Sequence, residues 1–146
     1  MHDLFKIISI VFVLFTNCTS TTTALLEPSQ ADDQAPWVGN FRFEPSTFAW
    51  GEKINLVFDY RNVRGGLSGA TIYLDYEGSL PTHTRRASMW AQLIKKQGGP
   101  DENGTFRGRI RIGSTDQPPY NISYWLRIKD KDGRASNTAM AMVHYR

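Results

Sequence analysis

The chain has 146 residues, of which 40% are hydrophobic and 21% are charged, and its formal net charge is +3. This composition is typical of a globular protein and excludes a fibrous or wholly disordered chain. The single cysteine excludes an internal disulfide and a zinc site built from several thiolates.

The first element in chain order is an apolar run, residues 7–15, that follows a short charged start. A charged start, an apolar stretch of this length and a polar exit are typical of a secretory signal. The run is much shorter than the roughly 20 residues that span a bilayer, so a transmembrane anchor is not expected. Residues 1–17 are therefore predicted to be a signal peptide.

The cysteine stands directly after this exit, in the order Phe15, Thr16, Asn17, Cys18. The layout resembles the lipobox of bacterial lipoproteins, whose cysteine is diacylated and becomes the new N-terminus. Phe15 and Asn17 stand where that family usually has a leucine and a small residue. The resemblance implies that acylated Cys18 contacts a lipid membrane in the bacterial cell envelope, and Thr19 favours the outer membrane. The alternative is an ordinary cleaved signal and a secreted protein.

Residues 18–35 are rich in Ser, Thr, Ala, Pro and Asp, which predicts a disordered tether. Dense aromatic and β-branched content begins near residue 36, and residues 36–146 are long enough for one domain. Sixteen of the seventeen Lys and Arg lie in that domain, against ten of the fourteen Asp and Glu, which leaves a net charge of +6. Such a charge favours acidic partners in general.

Alternation of apolar and polar residues dominates the domain, and turn residues recur every eight to twelve positions, which is typical of an all-β sandwich. The predicted strands are 38–44, 53–61, 70–76, 84–96, 105–112, 120–129 and 135–145. Segment 84–96 also has helical spacing, but we interpret it as a strand that forms a hairpin with 105–112.

The last predicted hairpin reads PPYNISYWLRIKDKDGRASN, with a tyrosine before its first strand and a Gly-x-x-Ser turn. It resembles the last hairpin of immunoglobulin-like and fibronectin-type-III-like domains in bacterial surface proteins. The predicted fold is therefore a seven-stranded immunoglobulin-like antiparallel β-sandwich after a cleaved signal and a disordered tether.

Motifs for catalysis are weak. The domain has two histidines, His83 and His144, and no metal-ligand spacing or nucleophile elbow. Asp59 and Asp75 are interpreted as solvated strand residues, and residues 130–133 as a hairpin turn and not the start of a calcium loop. The sequence therefore predicts no enzyme, no metal and no cofactor.

Two surface patterns are candidates for binding. Arg107, Arg109 and Arg111 alternate along one predicted strand, so they share one face at intervals of roughly 7 Å. Neighbouring carboxylates such as Glu52 and Asp59 are expected to offset their charge. The alternative is that the row contacts an anionic polymer or lipid.

The second pattern is an outward tryptophan. If the alternate residues of 120–129 face the core, Trp125 faces out, and an immunoglobulin-like strand order brings Tyr73, Met140 and Met142 beside it. Such a patch can contact a protein or stack on a sugar ring. The alternative is that a loop, residues 81–88, folds over it.

These features together predict a membrane-anchored lipoprotein that presents a non-catalytic immunoglobulin-like binding or assembly module outside the cytoplasm. Its expected partners are an envelope protein or an anionic glycan, and nucleic acid is not expected. The alternative is a secreted or anchored glycan-binding module. The absence of a catalytic motif does not select between these two functions.

Overall fold

The computed structural model describes residues 34–49, 51–77, 85–112 and 120–146. The chain divides into two units, Met1–Gln30 and Ala31–Arg146, and all the described residues belong to the second. The predicted signal peptide, Cys18, nearly all of the predicted tether and His83 lie outside the described residues. What the sequence predicts for them stays a prediction.

The described residues form eight strands and two helices. The strands are β1 (Trp37–Glu44), β2 (Thr47–Phe48), β3 (Lys53–Arg61), β4 (Thr71–Glu77), β5 (Arg85–Arg86), β6 (Gly104–Arg111), β7 (Tyr120–Lys129) and β8 (Ala139–Tyr145). The helices are α1 (Gly66–Gly69) and α2 (Ser88–Gln97). In the same described ranges, neither helix has the length and apolar content that crossing a membrane requires.

The strands form two sheets, one with the order β1-β3-β6 and one with the order β2-β8-β7-β4-β5. Neighbours are antiparallel except β2 and β8, which are parallel. The last hairpin, β7–β8, pairs with β4 in one sheet, and β1, β3 and β6 form the other. This is the arrangement of an immunoglobulin-like sandwich, so the all-β fold class is confirmed. The predicted count of seven strands is corrected to eight in the described residues.

Segment 84–96 was wrongly predicted as a strand, because most of it belongs to helix α2. Ile94 is buried, and Trp90 stacks on Tyr124 of β7 with ring centroids 5.3 Å apart. Met89, which completed the alternating pattern, is 82% exposed. Burial at helical spacing therefore decides the conformation of this segment. The predicted hairpin with 105–112 is also wrong, since β6 pairs with β3.

The core between the sheets is strongly aromatic. Phe58 of β3 stacks on Phe106 of β6 with centroids 5.2 Å apart and meets Phe41 of β1 edge-on at 6.5 Å. From the opposite sheet, Tyr124 of β7 packs against Phe43 at 4.9 Å. These side chains are at most 7% exposed. Without a cross-link among the described residues, burial of this apolar surface stabilises the sandwich.

The chain changes sheet between β1 and β2, at a cis peptide bond that joins Glu44 to Pro45. Beyond this bond, β2 runs beside the end of β8, where Phe48 stacks on Tyr145 at 5.0 Å. The crossing brings residues from the edges of both sheets together at one end of the domain. Trp37, where β1 begins, lies at the other end of the same strand.

Candidate binding surfaces

The outer face of the five-stranded sheet carries the tryptophan pattern predicted from sequence. Because β7 lies between β4 and β8, Trp125 sits directly across from Asp75 on one side and from Met140 on the other. Met142 is opposite Ser123, the next outward residue of β7. We call Tyr73, Trp125, Met140 and Met142 the methionine face. Strand order alone brings these four residues to one surface.

The two methionines are the most open residues of this face. Met140 is 60% exposed and Met142 is 51% exposed, whereas Trp125 and Tyr73 are half-buried. An exposed methionine can adapt its shape to a partner surface, because its side chain is unbranched and its thioether is polarisable. The sequence predicted an outward Trp125, and its half-burial means that the methionines provide most of the exposed apolar surface.

Tyr73 lies between two cations. The guanidinium of Arg127, its cross-strand neighbour, is 5.0 Å from the ring centroid, and that of Arg86 is 5.2 Å away. Arg86 also donates to Asp75 at 3.2 Å. In the alternative to an open Trp125, residues 81–88 cover the ring, and residues 81–84 of that segment lie outside the described residues. Its next two residues form the edge strand β5 beside β4, so they border the methionine face.

The arginine row lies on the outer face of the other sheet, and its first member is neutralised there. Arg107 and Arg42 both donate to the carboxylate of Glu44. The hydrogen bond from Arg107, followed by that from Arg42, holds the pKa of Glu44 below its usual range. Val57 lies directly across from both arginines and is fully buried although it points outward. The aliphatic parts of these two arginines therefore cover Val57.

The other two arginines of the row line an open cleft of about 740 Å³. Arg111 stands directly across from Lys53, and Arg109 is two positions along on the same face. Arg146, from the end of the opposite sheet, also lines the cleft. We call Lys53, Arg109, Arg111 and Arg146 the cationic cleft. Its remaining lining residues are Pro45, Thr47, Gly51 and Glu52.

The carboxylates expected to offset the row mostly have other partners. Asp59 accepts from the hydroxyl of Thr105 at 2.6 Å and from the amide of Asn40, and these two bonds lower its pKa. Glu52 is 3.6 Å from Arg146 and accepts the N–H of Ala49. Neither makes an ion pair with a member of the row in the part of the chain that is described. Among the described residues, the strand carboxylate that pairs with a member of the row is Glu44.

The turn at residues 130–133 is held by a buried ion pair. Asp130, whose side chain is fully buried, accepts the N–H groups of Asp132 and Arg134 and two bonds from the Arg134 guanidinium. Burial alone would raise the pKa of Asp130, but the bonds from Arg134 hold it below its usual range. The carboxylate stabilises the β7–β8 hairpin turn, and the described residues contain no cluster of three or more metal-ligating side chains.

The residues considered for catalysis are not brought together. Asp59 lies on β3 and Asp75 on β4, which belong to different sheets. The Nδ1 atom of His144 is 2.9 Å from the side-chain oxygen of Asn121, its cross-strand neighbour, and so pairs with an amide and not a carboxylate. Neither arrangement joins a histidine to an acid in the described part of the chain.

Sequence reasoning missed Lys53, Arg146 and Glu44. Each of them matters because of its neighbour across a sheet or across the sheet crossing, and not because of its neighbours in sequence. The hairpin predicted for 84–96 assigned β6 the wrong partner strand. If strand 53–61 had been paired with 105–112, Lys53 would have been placed opposite Arg111. The information that the sequence lacked was therefore which strands pair and in what register.

No family model and no curated protein matches the chain. Among solved structures, it is similar to the alkylpurine DNA glycosylase AlkC of Pseudomonas fluorescens bound to DNA with an abasic site analogue, at 12% identity and a TM-score of 0.46. That match covers 77% of this chain and 30% of the glycosylase, so the chain spans less than a third of that protein. The chain is also similar to a PKD domain of an M14-like peptidase from Thermoplasmatales archaeon SCGC AB-540-F20, at 15% identity and a TM-score of 0.38, with 76% and 92% covered.

One prediction from sequence is corrected by these comparisons. The chain was expected not to be an enzyme, yet a protein that it resembles in structure is a DNA glycosylase, which is an enzyme. The exclusion of enzymes is therefore wrong as it was stated. Because both TM-scores lie below one half, neither likeness assigns an activity to this chain.

Proposed function

We propose that this protein is a lipid-anchored component of the bacterial cell envelope, in which acylated Cys18 holds an immunoglobulin-like binding or assembly module outside the cytoplasm. The observation that carries the proposal is the methionine face, where two open methionines border a tryptophan and a tyrosine. The partner that fits this face best is an envelope protein.

The composition of the face supports a protein partner. Tyr, Trp, Met and Arg are the residue types enriched at the centres of protein interfaces, while isolated charges occupy the rim. Here Arg86 and Arg127 flank Tyr73, and Asp75 lies beside Trp125. A partner that covers Met140 and Met142 would bury apolar surface and desolvate these cation–π pairs, which strengthens them.

The anchor rests on the sequence alone. Cys18 follows a signal-like apolar run, and no second cysteine is present to pair with it. Processing of a lipobox supplies more than one acyl chain, which stable anchoring requires. Thr19 favours delivery to the outer membrane, and a secreted protein remains the alternative.

Metabolic labelling with a fatty-acid analogue tests the anchor. We expect the wild-type protein to incorporate label and to fractionate with membranes, and Cys18→Ala to lose both properties. Equal labelling of the two proteins would refute acylation at Cys18. This result would leave the binding face unaffected, because the variant keeps the whole domain.

Site-specific photocrosslinking tests the face. A photoreactive residue at Met140 is expected to give one discrete adduct in intact cells, and Trp125→Ala should remove that adduct. Met89 on α2 is the matched control, because it is an exposed methionine on a helix and does not belong to the methionine face. With the partner identified and purified, Trp125→Ala should weaken its binding at least about 30-fold, as expected for a hot-spot residue. Equal adducts at positions 89 and 140 would contradict a specific face.

A glycan-binding module is the second candidate. The observation that favours it is the cationic cleft, and not Trp125, because the half-buried ring offers less of its surface to a sugar. Retention on an insoluble neutral polysaccharide tests whether Trp125 binds a glycan by stacking on a sugar ring. Loss of retention in Trp125→Ala, with an unchanged melting temperature, would support it.

A further inference from the structure

The cationic cleft concentrates positive charge that the described part of the protein does not neutralise. Among the described residues, four cationic side chains and one carboxylate line it. Glu52 lies 3.6 Å from Arg146 and already accepts the N–H of Ala49. Lys53, Arg109 and Arg111 form no ion pair with any residue of the described ranges. Three exposed cations of the cleft therefore have no balancing charge in that part of the chain.

The register of β3 and β6 makes this arrangement costly in the absence of a ligand. Lys53 and Arg111 are directly opposite each other on neighbouring antiparallel strands, and like charges at such positions destabilise a sheet. Four residues before Arg111 on the same strand, Arg107 is ion-paired, because it shares the carboxylate of Glu44 with Arg42. The same strand thus has a compensated end and an uncompensated end.

We propose that the cationic cleft binds an anionic polysaccharide. Arg109 and Arg111 are about 7 Å apart along the strand, so a chain with repeated negative groups engages several cations at once. Guanidinium groups bind carboxylate, sulfate and phosphate oxygens through paired hydrogen bonds. The hydroxyl of Thr47 in the cleft wall is a further donor for such groups or for sugar hydroxyls.

The place of the cleft favours a polysaccharide over a lipid surface. The cleft lies past the end of β1, about 25 Å from the strand start at Trp37. This argument rests on the proposed anchor, since the tether would then leave the cleft at the end away from the membrane. The same proposed function places the domain outside the cytoplasm, where a polysaccharide and not a nucleic acid is the expected polyanion.

The test uses the full chain with Cys18→Ala, so lipidation has no part in the result. Binding is measured to heparin and polygalacturonate as anionic polysaccharides, to dextran as the neutral control, to phosphatidylglycerol vesicles, and to a mixed-sequence single-stranded DNA. We expect binding to the two anionic polysaccharides that falls with salt, none to dextran, and weaker binding to vesicles and DNA. Tighter binding to vesicles or to DNA, or no binding to either polysaccharide, would overturn the proposal.

A matched pair of variants locates the site. Arg109→Gln with Arg111→Gln should weaken polysaccharide binding at least tenfold, whereas Lys95→Gln with Lys96→Gln, the same charge change on exposed α2 residues, should weaken it less than threefold. Equal losses would mean attraction by net charge alone, which refutes the cleft. If the arginine variant does not melt cooperatively, Lys53→Gln is judged by the same tenfold criterion. Because Cys18 is absent throughout, this result is independent of the anchor.

Discussion

The outer faces of the two sheets follow the same alternation of strand residues but differ in what their side chains contact. On the five-stranded sheet, two exposed methionines lie beside Trp125, and charged side chains surround Tyr73 and Asp75. On the three-stranded sheet, many exposed side chains are cationic, and they are ion-paired at Glu44 but not at Lys53. The comparison shows that the residue types along a strand indicate a candidate binding face. The partners of each side chain then decide which residues of that face are free to bind a ligand.

The largest expected effect concerns the scaffold that both faces share. Asp130→Ala removes a fully buried carboxylate and leaves the Arg134 guanidinium without its partner. We expect a loss of about 3 kcal/mol in the free energy of unfolding, measured by urea denaturation. Both faces should lose binding at the same urea concentration. If polysaccharide binding persisted after crosslinking at Met140 was lost, the two faces would not belong to one cooperative unit.

Low pH should weaken the same ion pair and lower the free energy of unfolding. The pKa of Asp130 is lowered in the folded protein, so the unfolded chain binds more protons at low pH. Its contribution to stability is complete above the usual aspartate value of 3.8 and is lost as the pH falls through the lower folded value. Asp130→Asn should therefore show a shallower loss of stability than the wild type from pH 5 to pH 2. Parallel curves would contradict this assignment.

A smaller effect separates the two ends of the arginine row. Arg107→Ala uncovers Val57 and should cost on the order of 1 kcal/mol of stability, mostly from apolar surface returned to water. Polysaccharide binding should stay within threefold of the wild type, because Arg107 is already ion-paired with Glu44 and does not line the cationic cleft. A tenfold loss of binding in this variant would show that the binding site includes the whole arginine row. It would contradict the difference proposed between Arg107 and the other two arginines.

The smallest effect is expected on the methionine face. Met140→Lys changes a side chain that is 60% exposed, so the free energy of unfolding should change by no more than about 0.5 kcal/mol. Its effect on the photocrosslinked partner should nevertheless be large, since it adds a charge to an apolar contact. If this variant binds the partner as tightly as the wild type, Met140 is not part of the interface.

Much of the fold could be predicted because alternation reports the face of each strand directly. The predicted strands 53–61 and 120–129 agree with the structure at both ends, and Ile54, Leu56 and Phe58 are buried as predicted. Segment 84–96 was ambiguous because Met89, Ala91 and Leu93 alternate by chance within a helical pattern. Packing of the segment against β4, α1 and β6, together with the stacking of Trp90 on Tyr124, accompanies the helical conformation.

The candidate sites were harder to predict, for a related reason. The sequence brought Arg107, Arg109 and Arg111 to one face, but it gave no information on their partners across the sheet. Glu44 reaches Arg107 from a strand that is not even adjacent to β6, since β3 lies between them. A charge pattern within one strand therefore predicts a surface, and the order of the strands decides which part of it can bind.

The short strands at the two edges of the larger sheet affect how copies of the protein meet one another. β2 and β5 have two residues each, so each edge strand itself is too short to offer a long row of backbone groups, and β5 consists of two arginines. On the smaller sheet, β1 has an irregular register near Gly39 and β6 carries the arginine row. Short, bulged and charged edges all oppose the addition of a further strand. Crowded copies should therefore remain separate molecules and not grow into a shared fibre.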